Sequence, residues 1–217
     1  MTYSGSTVAP KELTIGKEGA QFFESALSVS QLSELESVLA AQPRDHAGVR
    51  LSAIPELRPF LNQAGPVGQI PALVLGPGCL PVRAHQDRTI AVRQRIDMDG
   101  FGPWSIKSGM VHVEPPFDLL ARMVTVRVHL DAVPTTNAPL LVAPGSHKRG
   151  RIPTAEIPDV VRQCGVIPCL AEAGDVWLYA TPILHASDAA VEALHRRVLQ
   201  VDYAVGQLPG GLQWLGI

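Results

Sequence analysis

Apolar residues fall at helical spacing early in the chain, where Leu32, Leu35, Val38 and Leu39 lie on one side of a helix. Ser30 is its expected N-cap and Pro43 its stop. A second, shorter helical segment is expected over Ile54 to Asn62. From Ile70 onward the pattern changes. Ala72 to Leu75 is a short apolar run closed by Gly76-Pro77-Gly78, and Leu80 to Ile96 reads as strand. Residues 97–116 carry Gly100, Gly102, Pro103, Gly109, Pro115 and Pro116 and read as a long irregular connection, the kind that forms a lid or wall. Phe117 to Met123 gives a helical turn or two, and Val124 to Val133 a strong strand. Leu140 to Val142, Cys169 to Ala171, Val176 to Ala180 and Val198 to Ala204 are further strands, and Thr154 to Arg162 a further helix. Helices first and then many short strands predict a mainly β fold, an antiparallel barrel or jelly roll with flanking α-helices.

Composition narrows this picture. A chain of 217 residues with 46% hydrophobic content supports one domain over 1–217, with helical padding about 20–65 and a jelly-roll core about 70–205. The net charge of −2 favours neither nucleic acid nor an anionic membrane as a partner. Cys79, Cys164 and Cys169 match no zinc spacing, so reduced thiols in a cytoplasmic protein are expected. The first residues are polar and carry no apolar signal core, and no apolar run reaches the roughly 18 residues of a membrane span. Oligomeric state is not legible. The apolar positions Leu208, Leu212, Trp214, Leu215 and Ile217 of the tail suit a cover for the barrel or for a neighbour.

The candidate chemistry starts at His85-Gln86-Asp87. A His and an Asp two apart on a strand share a face, so an imidazole and a carboxylate converge. One more histidine from a distant strand, with His185 the candidate, completes the two-His, one-carboxylate set that holds non-haem Fe(II) with open positions. A second such unit exists, His129-Leu130-Asp131, and spacing alone does not choose between them. Asp131 lies just before the turn at Pro134, where Asp is common for backbone reasons. The interval from His85 to His185 also supplies more of the intervening strands that a jelly roll needs. Arg196 and Arg197 open the last strand, so by alternation one faces inward. An inward guanidinium needs an anion, and a dicarboxylate would supply it as a bidentate pair.

The ordered set His85-Gln86-Asp87, Asn137-Ala138-Pro139-Leu140-Leu141-Val142-Ala143-Pro144-Gly145-Ser146-His147, Gly174-Asp175, His185-Ala186-Ser187 and Arg196-Arg197-Val198-Leu199 resembles the phytanoyl-CoA dioxygenase family. These are Fe(II)- and 2-oxoglutarate-dependent oxygenases, and the resemblance runs from about Leu80 to Ala204. It implies a double-stranded β-helix, a cupin-like jelly roll. It implies His85, Asp87 and His185 as iron ligands and Arg196 as the partner of the distal carboxylate of 2-oxoglutarate. Ser187 and Gln86 match positions that line the co-substrate pocket. With O2, the implied reaction oxidises a C–H bond of a small-molecule substrate and releases succinate and CO2. Related halogenases replace the carboxylate at the Asp87 position, so its presence favours hydroxylation or another oxidative C–H reaction over halogenation. The chain departs from the family pattern at Ala84, where many relatives have tryptophan, and at Arg127, where an aromatic residue is familiar.

Substrate contacts are sought in the long connection, at Trp104, Lys107 and His112, with Met110 and Arg127 as further candidates. A small metabolite or natural-product intermediate is expected, since no basic groove for CoA phosphates is evident. Two other readings remain open at this point. One is a cupin-type metalloenzyme that does not use 2-oxoglutarate, which needs no arginine facing the metal. The other is a non-catalytic module that binds metal and dicarboxylate.

Overall fold

A computed structural model describes residues 10–42, 54–82, 88–107, 109–191 and 195–216. The first helix is α1 (Val29–Ala40), and its N-cap is Ser28 rather than Ser30. Ser28 Oγ accepts from the Gln31 amide at 3.3 Å, and Gln31 Oε1 accepts from the Ser28 amide at 2.8 Å. Ser30 would have Ser33 in the reciprocating position, which lacks the reach of a Gln side chain. The expected stop, Pro43, lies outside the described residues. The second helical segment is a 3₁₀ turn (Pro55–Leu57) running into α2 (Arg58–Leu61).

Three stretches differ from the sequence reading. The apolar run before Gly76 closes a helix, α3 (Gln69–Leu75), and Gly76 ends it at φ 79°. A four-residue apolar run has no period of its own; Ile70 and Pro71 face the core here while Leu73 faces solvent. Leu80 to Ile96 is not one strand. It divides into β2 (Cys79–Val82) and β3 (Ile90–Val92), which belong to different sheets. His85, Gln86 and Asp87 fall between them and lie outside the described residues. Residues 97–116 are not irregular throughout. Two strands, β4 (Trp104–Lys107) and β5 (Met110–Val113), pair as an antiparallel hairpin that includes Gly109 at φ 77°. Each strand is only four residues long, too short to stand out among the flanking Gly and Pro.

The remaining elements are β1 (Ala20–Phe23), α4 (Phe117–Leu120), β6 (Val124–His129), β7 (Leu140–Val142), α5 (Ile157–Cys164), β8 (Ile167–Cys169), β9 (Val176–Ala180), β10 (His185–Ser187) and β11 (Val198–Val205). All strand pairings are antiparallel. The largest sheet has the order β1-β9-β6-β11-β2, and two three-stranded sheets have the orders β10-β7-β8 and β3-β5-β4.

Alternation decides what each face of the large sheet holds. Val124, Val126 and Val128 of β6, Val176 and Leu178 of β9, and Leu199, Val201 and Tyr203 of β11 share one hydrophobic cluster with Leu35, Leu57, Phe60 and Leu61. This outer face is therefore sealed by α1, α2 and the 3₁₀ turn. Each fully buried Leu or Val there contributes about 1.5–3 kcal/mol. Tyr203 keeps its hydroxyl satisfied by donating to Leu61 O at 2.9 Å. The other face looks into the barrel. Trp177 and Tyr179 pack there with Leu140, Val142, Ile167 and Cys169, and Ala204 packs with Val82, Ile90, Val92 and Val113. The same inner face carries Thr125, Arg127 and His129 of β6, so a polar row crosses an otherwise apolar interior.

Candidate active site

His185 opens β10, opposite Val142 of β7. Its Nδ1 lies 3.0 Å from Ile183 O. A carbonyl only accepts, so Nδ1 carries a proton, and in the neutral ring the lone pair is then on Nε2. That is the tautomer a metal ligand needs, with its orientation fixed by a backbone carbonyl. The ring stands 5.7 Å from the Tyr179 ring. Its proposed co-ligands, His85 and Asp87, and the pocket candidate Gln86 lie outside the described residues. Among the described residues no cluster of His, Cys, Asp and Glu is arranged to hold a metal. Ser187 is two positions beyond His185 on the same strand, exposed, opposite Leu140.

The structure separates the two adjacent arginines. Arg197 is consumed by Asp131: its Nη2 donates to Oδ1 at 2.7 Å, and its Nε lies 3.0 Å from Oδ2. Its Nη2 also reaches Glu36 of α1 at 2.7 Å. Arg197 thus ties β11 to the outer helix, and its charge holds the Asp131 carboxyl below the usual carboxylate value. Arg196 lies on the other side. Its Nη1 donates to Ala138 O, and its charge bears on both Arg127 and His129 inside the barrel. The same contacts dispose of the second His-x-Asp unit. Asp131 faces Arg197 while His129 is 1% exposed within the barrel, so the two do not converge.

Arg127 reaches Gln200 of β11, with Nη1 2.9 Å from Oε1. Burial pulls its pKa below the ordinary arginine value; Tyr179 opposes this, and the Arg196 charge adds to it. His129 is pushed down to about 4, first by burial and then by the Arg127 and Arg196 charges, so it is neutral at pH 7. The Cys169 thiol beneath this row is pushed up to about 12 by burial and is inert.

A cavity of 540 Å³ opens beside His185. Its walls are aliphatic: Leu141 and Val142 from β7, Ile157 and Val161 from α5, and Ile152 and Leu184 from connections. Charged side chains at its edge are engaged with protein. Arg151 pairs with Glu114, and Arg88 Nη2 donates to Ile152 O at 2.6 Å. None of the substrate candidates Trp104, Lys107, Met110, His112 or Arg127 lines this cavity. Trp104 is half-buried under Arg95, whose guanidinium carbon sits 5.5 Å from its ring centre. Lys107 and Met110 pair across the hairpin, and His112 is buried with Nδ1 3.0 Å from Met110 O. Sequence reasoning missed Arg88, Glu114 and Arg151. One signal was available, since Arg88 directly follows the first His-x-Asp unit.

Antiparallel strands in three sheets with flanking helices form a cupin-like jelly roll, the fold of iron- and 2-oxoglutarate-dependent oxygenases, and the comparisons agree. The chain is similar in fold to EctD from S. alaskensis with bound Fe, at 16% identity and a TM-score of 0.62, covering 94% of this chain and 79% of that one. It is similar to SnoK, the non-heme alpha ketoglutarate dependent carbocyclase of nogalamycin biosynthesis, at 18% identity and a TM-score of 0.59, covering 94% of this chain and 88% of that one. It is similar to HygX from Streptomyces hygroscopicus with nickel and 2-oxoglutarate bound, at 14% identity and a TM-score of 0.57, covering 88% and 84%. No curated protein matches the chain. The family model for phytanoyl-CoA dioxygenase (PhyH) matches residues 28–198, and the chain belongs to that family. Iron, 2-oxoglutarate and O2 are the cofactors of this class of oxygenase. Among the described residues no helix is long and apolar enough to cross a membrane.

Proposed function

We propose that the protein is a dioxygenase that oxidises a C–H bond of a small molecule, hydroxylation being the expected outcome, with release of succinate and CO2. His185, with His85 and Asp87, would hold the iron, and Arg196, with Ser187 and Gln86 beside it, would hold 2-oxoglutarate. The observation that carries this reading is the placement of His185. Nδ1–H donates to Ile183 O, which leaves Nε2 as the ligating nitrogen of the neutral ring, and the residue lines a 540 Å³ cavity. Imidazole and carboxylate donors suit Fe(II), and an arginine suits a dicarboxylate. When bound, the metal and co-substrate supply the activation of O2.

The protein's own part is positioning. Ile183 fixes the ring orientation of His185. Arg196 would fix the far end of the co-substrate, so that its other end meets the metal in one pose. The aliphatic wall of Leu141, Val142, Ile157 and Val161 would hold an apolar portion of the substrate and exclude water. The crystal form of HygX with hygromycin B shows that this fold takes natural-product-sized molecules. The aliphatic walls of the cavity here favour a ligand with an apolar portion.

The test is an anaerobic titration of the metal-free protein with Fe(II) and then 2-oxoglutarate, read by visible absorption. A weak metal-to-ligand charge-transfer band that needs both components is expected, followed by succinate formation on admitting O2. A folded protein that binds Fe(II) but never gives the band would move the reading to a cupin-type metalloenzyme whose substrate meets the metal directly.

A further inference from the structure

The inner face of β6 carries more positive charge than one anchoring arginine requires. Arg127 and His129 alternate with Val126 and Val128 and so point into the barrel. His129 is 1% exposed, and neither Nδ1 nor Nε2 has a hydrogen-bond partner. A ring nitrogen buried in this way gives up its water and recovers nothing. Arg127 repeats the problem next to it. Its Nη1 reaches the neutral Gln200 amide at 2.9 Å, Tyr179 bears on it from β9, and its Nε is buried without a partner.

No carboxylate answers this charge among the described residues. The groups whose charge bears on His129 are Arg127 and Arg196. Those that bear on Arg127 are Tyr179, Arg196 and Cys169. The acids on neighbouring strand ends are committed elsewhere. Asp131 is held by Arg197, and Asp202 accepts from the Thr125 hydroxyl at 2.5 Å. The half-buried Arg127 guanidinium and a neutral imidazole that face one interior, with the Arg196 charge bearing on both and no acid among the described residues to answer them, form half of an ion pair. Such a group is costly alone and favourable once an anion with several acceptor sites completes it.

We propose that Arg127 and His129, together with Arg196, form a single chamber for the distal carboxylate of the 2-oxo dicarboxylic acid. The proposal rests on the 2-oxoglutarate reading and extends it. Arg127 moves from the substrate side to the co-substrate side, and His129 gains a role that its sequence context did not show. Arg196 supplies charge from the start of β11 and Arg127 from the adjacent β6. His129, neutral, donates one ring N–H to a carboxylate oxygen without adding a third positive charge to a buried site. A chamber of this composition discriminates strongly against 2-oxo acids that lack a second carboxylate.

The experiment compares 2-oxoglutarate with 2-oxobutyrate, which keeps the chelating end and lacks the distal carboxylate. Anaerobic Fe(II) protein is titrated with each and followed by the charge-transfer band. Arg127→Gln is expected to weaken 2-oxoglutarate binding about 10- to 100-fold and to leave 2-oxobutyrate unchanged. His129→Phe, which keeps the ring shape and removes both nitrogens, should weaken 2-oxoglutarate roughly 3- to 10-fold. A metal-free calorimetric titration with glutarate should show the same ranking. Circular dichroism checks each variant for folding. If Arg127→Gln does not fold, Arg127→Lys keeps the charge, loses the fork, and should bind 2-oxoglutarate with intermediate affinity. Wild-type 2-oxoglutarate affinity in both the Arg127 and His129 variants, beside a weakened Arg196→Gln, overturns the proposal. So does an equal loss for both 2-oxo acids. Absence of the band in the wild-type protein instead overturns the co-substrate reading itself.

Discussion

The two faces of the five-stranded sheet are built from the same strands and obey opposite rules. The outer face is a continuous aliphatic surface closed by α1, α2 and a 3₁₀ turn, and its one buried hydroxyl, on Tyr203, is satisfied. The inner face places Arg127 and His129 in a low-dielectric interior with polar atoms unpartnered. The outer face is spent on folding. The inner face leaves these groups unanswered within the fold, which is the ground of the chamber proposed above. The comparison predicts that outer substitutions unfold the protein without altering affinity per folded molecule, and that inner ones do the reverse.

The largest effect is expected at His185, on the strand facing the inner side. His185→Ala should bring iron-dependent succinate formation below detection while the melting temperature changes little. Next is the outer face. Leu35→Ala, in a helix position with no exposure, should cost about 2–5 kcal/mol in urea unfolding. Its affinity for 2-oxoglutarate, corrected for folded fraction, should match the wild type.

His129 supplies a prediction in pH. An unfolded imidazole titrates near 6.5, and burial with the Arg127 and Arg196 charges lowers this to about 4 in the fold. Between these values the unfolded chain binds a proton that the folded chain refuses. Stability therefore falls as pH drops from 6.5 toward 4 and levels below that, by on the order of 3 kcal/mol from this one group. Urea titrations across the window should show that the slope shrinks in His129→Phe. An unchanged slope would mean that the imidazole is not held neutral in the fold.

Smaller effects sharpen the contrast between the adjacent arginines. Arg197 is 45% exposed at its side chain, so its pairs with Asp131 and Glu36 are screened, and Arg197→Ala should cost about 1 kcal/mol or less. Co-substrate affinity should not move. The smallest change in stability, and the one of most interest in sign, is Arg127→Met. Removing a buried guanidinium that lacks an acid should leave the ligand-free protein within about 1 kcal/mol of wild type, or more stable. A clear loss of stability there would place the inner cation among the structural groups and erase the difference between the two faces.

Much of this was legible in the sequence where period and length were sufficient. Leu32, Leu35, Val38 and Leu39 located α1, and the strand-like runs Val124 to Val133, Val176 to Ala180 and Val198 to Ala204 located β6, β9 and β11. The ordered motifs from His85 to Arg197 pointed to the family to which the chain belongs. Short elements were lost for physical reasons. A four-residue run such as Ala72 to Leu75 is compatible with either period, and β4 and β5 are too short to announce a hairpin among glycines and prolines. The division of 80–96 into two sheets was illegible because a strand that changes sheets keeps its composition. The roles of Arg196 and Arg197 had to wait for the fold, since alternation says that they differ and not which one faces inward. Nothing in the spacing of His129-Leu130-Asp131 showed that its aspartate is taken by an arginine 66 positions away.

The hydrogen bond from His185 to Ile183 O spans only two residues. One contact that sets its orientation is thus written into a three-residue cassette. His112 uses the same device on Met110 O, also two residues back. A device this local is portable. The barrel lining can be exchanged wholesale, as a family with diverse substrates requires, while the imidazole keeps its aim. Nitrogen NMR should therefore report Nδ1-protonated rings for both histidines, and that signature should persist through substitutions anywhere else in the cavity.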